Sequence, residues 1–60
     1  MDLEIIIILQ DYFLPLDIVV KNNLIYIKDE SKTLHTFDIN YLAYLYENNE
    51  LNKYLKEITT

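Results

Sequence analysis

The first hydrophobic segment of the chain is unbroken rather than periodic. Residues 3–9 read LEIIIIL and include four consecutive isoleucines. β-Branched side chains favour a strand, because they lose rotamer freedom in a helix. Apolarity without alternation indicates burial on both faces, so Leu3–Leu9 is predicted to be a central strand or to lie at a subunit contact. A buried helix over residues 2–14 is the alternative.

The next segment predicts a β-hairpin with a two-residue turn. Asn22 and Asn23 separate two β-branched and aromatic segments, 17–21 and 24–28. Asparagine tolerates the positive φ that such a turn demands. The length of the loop sets the register, which pairs Val20 with Ile25, Ile18 with Ile27 and Asp17 with Lys28.

A second hairpin is predicted through a four-residue loop at 29–32 into a strand over 33–37. This register places Ile27 opposite Leu34, Tyr26 opposite His35 and Leu24 opposite Phe37. Successive side chains of a strand alternate between the two faces of the sheet. The more apolar face must therefore be covered by the rest of the protein. That face is expected to carry Ile18, Val20, Ile25, Ile27, Leu34 and Thr36. The other face can be partly wet and is expected to carry Asp17, Val19, Lys21, Leu24, Tyr26, Lys28, Thr33, His35 and Phe37.

From Asp38 onwards the pattern is helical. Asp38 is a good N-cap, and residues 39–58 contain neither glycine nor proline. The apolar positions form two stripes on nearly opposite sides. One stripe holds Ile39, Leu42, Leu45 and Tyr46, and the other holds Tyr41, Tyr44, Leu51, Tyr54, Leu55 and Ile58. The pair Asn48 and Asn49 favours two short helices, and one continuous helix is the alternative.

These segments together predict one α+β domain over residues 1–60. It consists of a small antiparallel β-meander of three or four strands, followed by one or two C-terminal helices.

Charge restricts the partners that the chain can take. Ten acidic residues stand against five lysines, which gives a net charge of −5. The lysines are scattered, whereas a nucleic-acid backbone calls for clustered basic side chains. Direct binding to nucleic acid or to an anionic membrane is therefore not expected. The segment at 5–9 has no basic leader and is far shorter than the ~20 apolar residues of a spanning helix. With no cysteine in the chain, we expect a cytoplasmic protein.

The residue types offer little for catalysis. His35 is the only histidine, and cysteine and glycine are absent. A zinc site, a catalytic triad and a glycine-rich phosphate loop therefore lack their residues. Asp29 and Glu30 lack the further ligands of a calcium loop. We expect no catalytic, cofactor-binding or metal-binding residue, and no enzyme. His35, opposite Tyr26, is expected to be a packed or hydrogen-bonded surface residue.

Self-association is expected to supply the stability that a domain of this size lacks. A domain of this length buries only about 60% of its unfolded surface, and partner chains often supply the remaining stability. Four of the six tyrosines lie between residues 41 and 54, and tyrosine is enriched at interfaces. The candidate interface is Tyr41, Tyr44, Leu51, Tyr54, Leu55 and Ile58. Within it, Leu51, Tyr54, Leu55 and Ile58 are the preferred contacts of a homodimer or higher oligomer, and the Ile5–Leu9 segment is the second choice.

In size, acidity and a composition typical of AT-rich coding sequence, the chain resembles small proteins that phages encode to block bacterial defence or host enzymes. The resemblance covers no particular motif. It implies a non-enzymatic protein-binding module, an inhibitor or adaptor that occludes a host protein. The alternative is an acidic DNA mimic or small regulator that acts on nucleic-acid-binding machinery.

Overall fold

A three-stranded antiparallel sheet and three helices make up the protein in its computed structural model, which describes residues 3–60. The strands are neighbours in chain order, and two helices follow them, which confirms the predicted α+β meander. In order, the elements are α1 (Leu3–Phe13), β1 (Asp17–Lys21), β2 (Leu24–Asp29), β3 (Lys32–Asp38), α2 (Ile39–Glu47) and α3 (Leu51–Thr59).

The first segment is a helix, so the strand predicted over Leu3–Leu9 is wrong and the alternative is the observed structure. Ile5, Leu9 and Phe13 are spaced four residues apart and are all buried. In a helix that spacing places side chains on one face. Packing of this face outweighs the strand preference of the isoleucines, because intrinsic propensity is worth only about 0.5 kcal/mol per residue.

The first hairpin has the predicted register. Val20 lies opposite Ile25 and Ile18 opposite Ile27, as a two-residue turn requires. Asn22 has a φ of 57°, in the left-handed region that asparagine tolerates, whereas Asn23 does not have a positive φ. Only the first turn position therefore depends on this property of asparagine.

The second hairpin departs from the predicted register beyond a β-bulge. Asp29 pairs with Lys32 across a turn at Glu30 and Ser31, so the loop is two residues long rather than four. The register then shifts between Lys28 and Ile27, and Leu34 is the additional residue on β3. A one-residue slip turns every later side chain to the opposite face.

This slip changes which residues of β3 reach the core. His35 lies opposite Ile27, and Phe37 lies opposite Ile25, where Leu34 and Thr36 were predicted on the covered face. Phe37 is buried, whereas Leu34 and Thr36 are exposed. The predicted pairs of Ile27 with Leu34, Tyr26 with His35 and Leu24 with Phe37 are accordingly wrong by one residue.

The C-terminal part consists of two helices, as the paired asparagines predicted. The Asp38 carboxylate accepts a hydrogen bond from the Asn40 backbone N–H at 2.8 Å, which confirms the N-cap of α2. At its other end, the Glu50 N–H donates to the Leu45 carbonyl at 2.8 Å, and the Asn49 N–H donates to the Tyr46 carbonyl at 3.1 Å. These two bonds form a Schellman motif, with Asn49 in the left-handed position at φ 57°.

All three helices cover the same face of the sheet. The core is one cluster that joins the buried face of α1, the centre of β2 and the inner sides of α2 and α3. Leu42 and Leu45 of one apolar stripe and Leu51 and Leu55 of the other are thus covered within the chain, because α1 packs on α2 and α3, whereas Tyr41 and Tyr44 stay exposed. The buried residues are Ile5, Leu9, Phe13, Ile25, Ile27, Phe37, Leu42, Leu45, Leu51 and Leu55.

Candidate protein-binding surfaces

Two tyrosines stand on the outward side of α2. Leu42 and Leu45 turn the other side of this helix into the core. At about 100° per residue, Tyr41 and Tyr44 lie on the flank away from Ile39. Their exposed fractions are 49% and 58%. The two rings thus expose a large aromatic area to solvent on a short helix with a capped N-terminus.

An aromatic chain connects this helix to the core. The Tyr41 ring contacts the Tyr54 ring edge-on at a centroid distance of 5.7 Å, and Tyr54 contacts Phe37 at 6.3 Å. Phe37 in turn stacks with His35 and lies 5.9 Å from Phe13. Edge-to-face pairs add about 0.5–1.5 kcal/mol beyond the burial of area. We call Tyr41, Tyr44 and Tyr54 the tyrosine surface.

A groove of about 190 Å³ runs beside the tyrosine surface, between α2 and α3. Leu45 and Tyr54 supply its apolar part, and Glu50, Lys53 and Glu57 supply charge of both signs. Sites for drug-sized ligands are typically 300–1,000 Å³ and mostly apolar. The groove is smaller than that range, so it suits side chains of a protein better than a small molecule. A second depression, of about 330 Å³, lies at the loop between the two helices and is lined mainly by amide and carboxylate side chains: Tyr46, Glu47, Asn49, Leu51 and Asn52.

The structure divides the predicted interface. Leu51 and Leu55 are 2% and 0% exposed, so they belong to the protein's own core and cannot contact a partner directly. They face inward because α1 packs against α3, which the strand prediction did not allow. Tyr54 and Ile58 are half-buried. Of the predicted contact residues, Tyr41 and Tyr44 are thus at the surface, and Tyr54 and Ile58 lie between the surface and the core.

A further apolar surface lies on α1. It includes Ile7 from the Ile5–Leu9 segment that was the second choice of contact, whereas Ile5 and Leu9 themselves are buried. Leu3, Ile7 and Leu14 are exposed by 72%, 58% and 70%. In a helix they fall within about 40° of one another. The Leu14 N–H donates to the Gln10 carbonyl at 3.0 Å, so the helical path continues as far as Leu14. We call these three side chains the α1 stripe. The helical spacing of these three residues was the feature of the sequence from which this surface could have been predicted.

His35 lies on the covered side of the sheet rather than on the outer face. Its ring centroid is 5.3 Å from that of Phe13 and 5.8 Å from that of Phe37, nearly parallel to the latter. This correction follows from the bulge at Leu34. His35 is half-buried between aromatic rings, and in residues 3–60 no group of three His, Asp or Glu side chains is arranged to hold a metal ion.

Over the part of the chain that the structure describes, no helix is both long enough and apolar enough to cross a membrane. Comparison with protein-family models, curated proteins and solved structures finds no match. Any function assigned to the chain must therefore come from its own surfaces.

Proposed function

We propose that the protein is a non-enzymatic binding module that self-associates through the tyrosine surface and occludes a surface of a host protein. The observation that carries this proposal is the exposure of Tyr41 and Tyr44 on a helix whose other side is fixed in the core. Among the described residues Tyr44 makes no ring contact, and Tyr41 contacts the Tyr54 ring yet stays 49% exposed.

Tyrosine suits an interface for physical reasons. Its ring buries a large area at the cost of only two side-chain torsions, and its hydroxyl can still reach water or a polar partner. Tyr41 is already held by its edge contact with Tyr54, so little conformational freedom remains to be lost on binding. The Tyr41 ring is therefore held in place before a partner binds.

The charges around the tyrosine surface favour a second copy of the chain. Lys53 lies in the adjoining groove between Glu50 and Glu57. A two-fold contact presents the same patch on both copies, so Lys53 of one copy can approach a carboxylate of the other. Opposite charges at the rim fix the register more than they add affinity. The hydrophobic contribution comes from the rings.

Occlusion of a host protein is supported by the apolar surface that remains outside the tyrosine surface. The α1 stripe and the outer sheet residues Val19 and Leu34 are all exposed. Exposed apolar area marks protein-binding surfaces where it is contiguous, as on one side of α1. Mimicry of DNA has less support, because the acidic residues are spread over all six elements and their loops instead of being aligned.

Sedimentation velocity over a range of protein concentrations tests the self-association. The wild type should form a dimer that dissociates on dilution. Tyr41→Gln and Tyr44→Gln should each weaken the dimer by about tenfold or more, because glutamine keeps the helix but removes the ring. Leu34→Gln is the matched control, since it removes an exposed apolar side chain from the outer sheet face. A dimer that is lost in Leu34→Gln and retained in both tyrosine variants would contradict the proposal.

A further inference from the structure

One edge of the sheet is formed by β1, and no other strand of residues 3–60 lies beside it. Lys21 and Leu24 flank the two-residue turn and pair directly with each other. In an antiparallel pair hydrogen-bonded and non-hydrogen-bonded positions alternate, and the pair that closes a two-residue turn is hydrogen-bonded. By this alternation the backbone N–H and C=O groups of Ile18 and Val20 point away from β2. They make no hydrogen bond to another segment of the described chain.

The β1 edge lacks the bulge, proline and inward-pointing charge that commonly protect edge strands. The strand pairs with β2 without a register shift and contains no proline. Its core-facing side chains are Ile18 and Val20, and both are half-buried. β3, at the other edge of the sheet, carries the bulge at Leu34. Of the two edges, β1 is therefore the better suited to accept another strand.

The sequence of β1 is complementary to itself in antiparallel orientation. It reads DIVVK, with an acidic residue at one end and a basic residue at the other. When two copies pair about Val19, Asp17 of each copy lies opposite Lys21 of the other. Ile18 of each copy then lies opposite Val20 of the other. Opposite charges and β-branched residues are both favourable as cross-strand pairs. The same register joins the outward-pointing backbone groups, because each pair of Ile18 with Val20 exchanges two hydrogen bonds.

We propose that β1 pairs with β1 of a second copy about a two-fold axis at Val19, which joins two three-stranded sheets into one. Val19, which is 40% exposed in the single chain, then covers Val19 of the second copy. A shift by two residues would keep the backbone bonds but separate Asp17 from Lys21, so the charges fix the register. The contact is isologous and uses each β1 edge once, so it closes on itself.

The β1 contact goes beyond the proposed dimer, because it uses none of the residues of the tyrosine surface. Those residues lie on α2 and α3, so a copy paired through them still presents its β1 edge. The strand has five residues, and contacts of small area are typically weak. We therefore expect β1 pairing at protein concentrations above those at which the proposed dimer is complete.

Disulfide formation at position 19 tests the pairing, because the chain has no cysteine of its own. In a non-hydrogen-bonded pair the Cα atoms are about 4.5 Å apart, a separation that a disulfide can span. Leu34→Cys is the matched control for Val19→Cys, since Leu34 is 43% exposed and lies outside the contact. Both variants are made together with Tyr44→Gln, which weakens the tyrosine contact. With oxidised glutathione, Val19→Cys should form the linked dimer at least about tenfold faster than Leu34→Cys, because pairing raises the effective thiol concentration.

Charge exchange in the Val19→Cys protein tests the register. Asp17→Lys should slow disulfide formation by about fivefold or more, because lysine then faces lysine across the contact. Asp17→Lys combined with Lys21→Asp should restore most of the rate, because the strand is again complementary to itself. Glu47→Lys brings the same change in net charge outside the contact and should alter the rate by less than about twofold. Circular dichroism checks that each variant is folded.

Amide hydrogen exchange gives a second measurement that requires no substitution in β1. In the Tyr44→Gln protein, exchange at Ile18 and Val20 should slow as the protein concentration rises, because their N–H groups become paired. Exchange at Val19, whose N–H is directed towards β2, should change little and is the internal control.

Three results would overturn the inference. The first is equal rates of disulfide formation in Val19→Cys and Leu34→Cys. The second is hydrogen exchange at Ile18 and Val20 that does not depend on concentration. The third is a doubly exchanged strand that links more slowly than Asp17→Lys alone. Failure of the tyrosine contact is separate, because it appears in the sedimentation of the tyrosine variants and leaves these three measurements unchanged.

Discussion

The ring of Tyr41 meets the ring of Tyr54 edge-on, with a centroid distance of 5.7 Å and an angle of 86° between their planes. Tyr54 contacts Phe37 in the same manner at 73°. An exposed side chain of α2 is thereby joined through α3 to a buried residue of β3. Tyr44, by contrast, is exposed further along α2 and makes no ring contact of this kind among the described residues.

This difference predicts separable effects of Tyr54 and Tyr44. Tyr54→Ala should lower the free energy of unfolding by about 1–3 kcal/mol, because it removes two edge-to-face pairs. Tyr44→Ala should change it by less than about 0.5 kcal/mol, as for most surface substitutions. Both variants should weaken self-association. Urea unfolding of dilute protein measures stability, and equal destabilisation by the two variants would contradict the described ring contacts.

The helical first segment predicts opposite outcomes for two isoleucines that are two positions apart. Ile5 is buried and Ile7 is exposed. Ile5→Ala should therefore cost about 2–5 kcal/mol of stability. Ile7→Ala should cost well under 1 kcal/mol, since alanine also has the better helix propensity. In a strand the two side chains would share a face, so similar losses in thermal unfolding would restore the strand interpretation.

Three of the residues in the described range 3–60 have a positive φ although the chain contains no glycine, and this predicts how substitutions in the turns change stability. Glu30 has a φ of 59°, and it lacks the local hydrogen bonding that helps asparagine in this region. Glu30→Gly should stabilise the protein by about 0.5–1 kcal/mol. Asn22→Val should destabilise it by about 1 kcal/mol or more, because a β-branched residue is strained there. Chemical unfolding checks both values, and Asn23→Gly, at a position without positive φ, is the control that should bring no gain.

The N-cap of α2 predicts that the free energy of unfolding falls when the side-chain oxygen acceptor of Asp38 is removed. Asp38→Ala removes the acceptor of the Asn40 N–H and should cost about 1 kcal/mol. Asp38→Ser keeps an acceptor at this position and should retain most of the stability. Guanidinium unfolding of the three proteins measures this order, and an alanine variant as stable as the serine variant would count against the cap.

Local signals predicted the elements whose structure is decided locally. The paired asparagines defined the first turn and its register, and Asp38 marked the start of α2. Asn48 and Asn49 marked the end of that helix, where Asn49 occupies the left-handed position of the Schellman motif. In each case a side chain within a few residues determines the backbone.

Two elements could not be predicted, because distant residues decide them. Four isoleucines favour a strand locally, yet burial of Ile5 and Leu9 against α2 and α3 selects the helix. The register of β3 depends on a bulge at Leu34, which follows a turn with Glu30 in the left-handed region. Glutamate gives no signal for such a turn. Of the candidate interface, Tyr41 and Tyr44 are exposed, Tyr54 and Ile58 are half-buried, and Leu51 and Leu55 lie in the core. That the exposed members contact a partner stays a prediction.

The mass of the wild-type protein in solution, measured by light scattering across a wide range of concentrations, tests the proposed self-association most directly. The account predicts a mass twice the 7.2 kDa of the single chain at high concentration, which falls towards 7.2 kDa on dilution. The melting temperature should rise with protein concentration, because association stabilises the folded state. A mass of 7.2 kDa throughout, with a melting temperature independent of concentration, would contradict it.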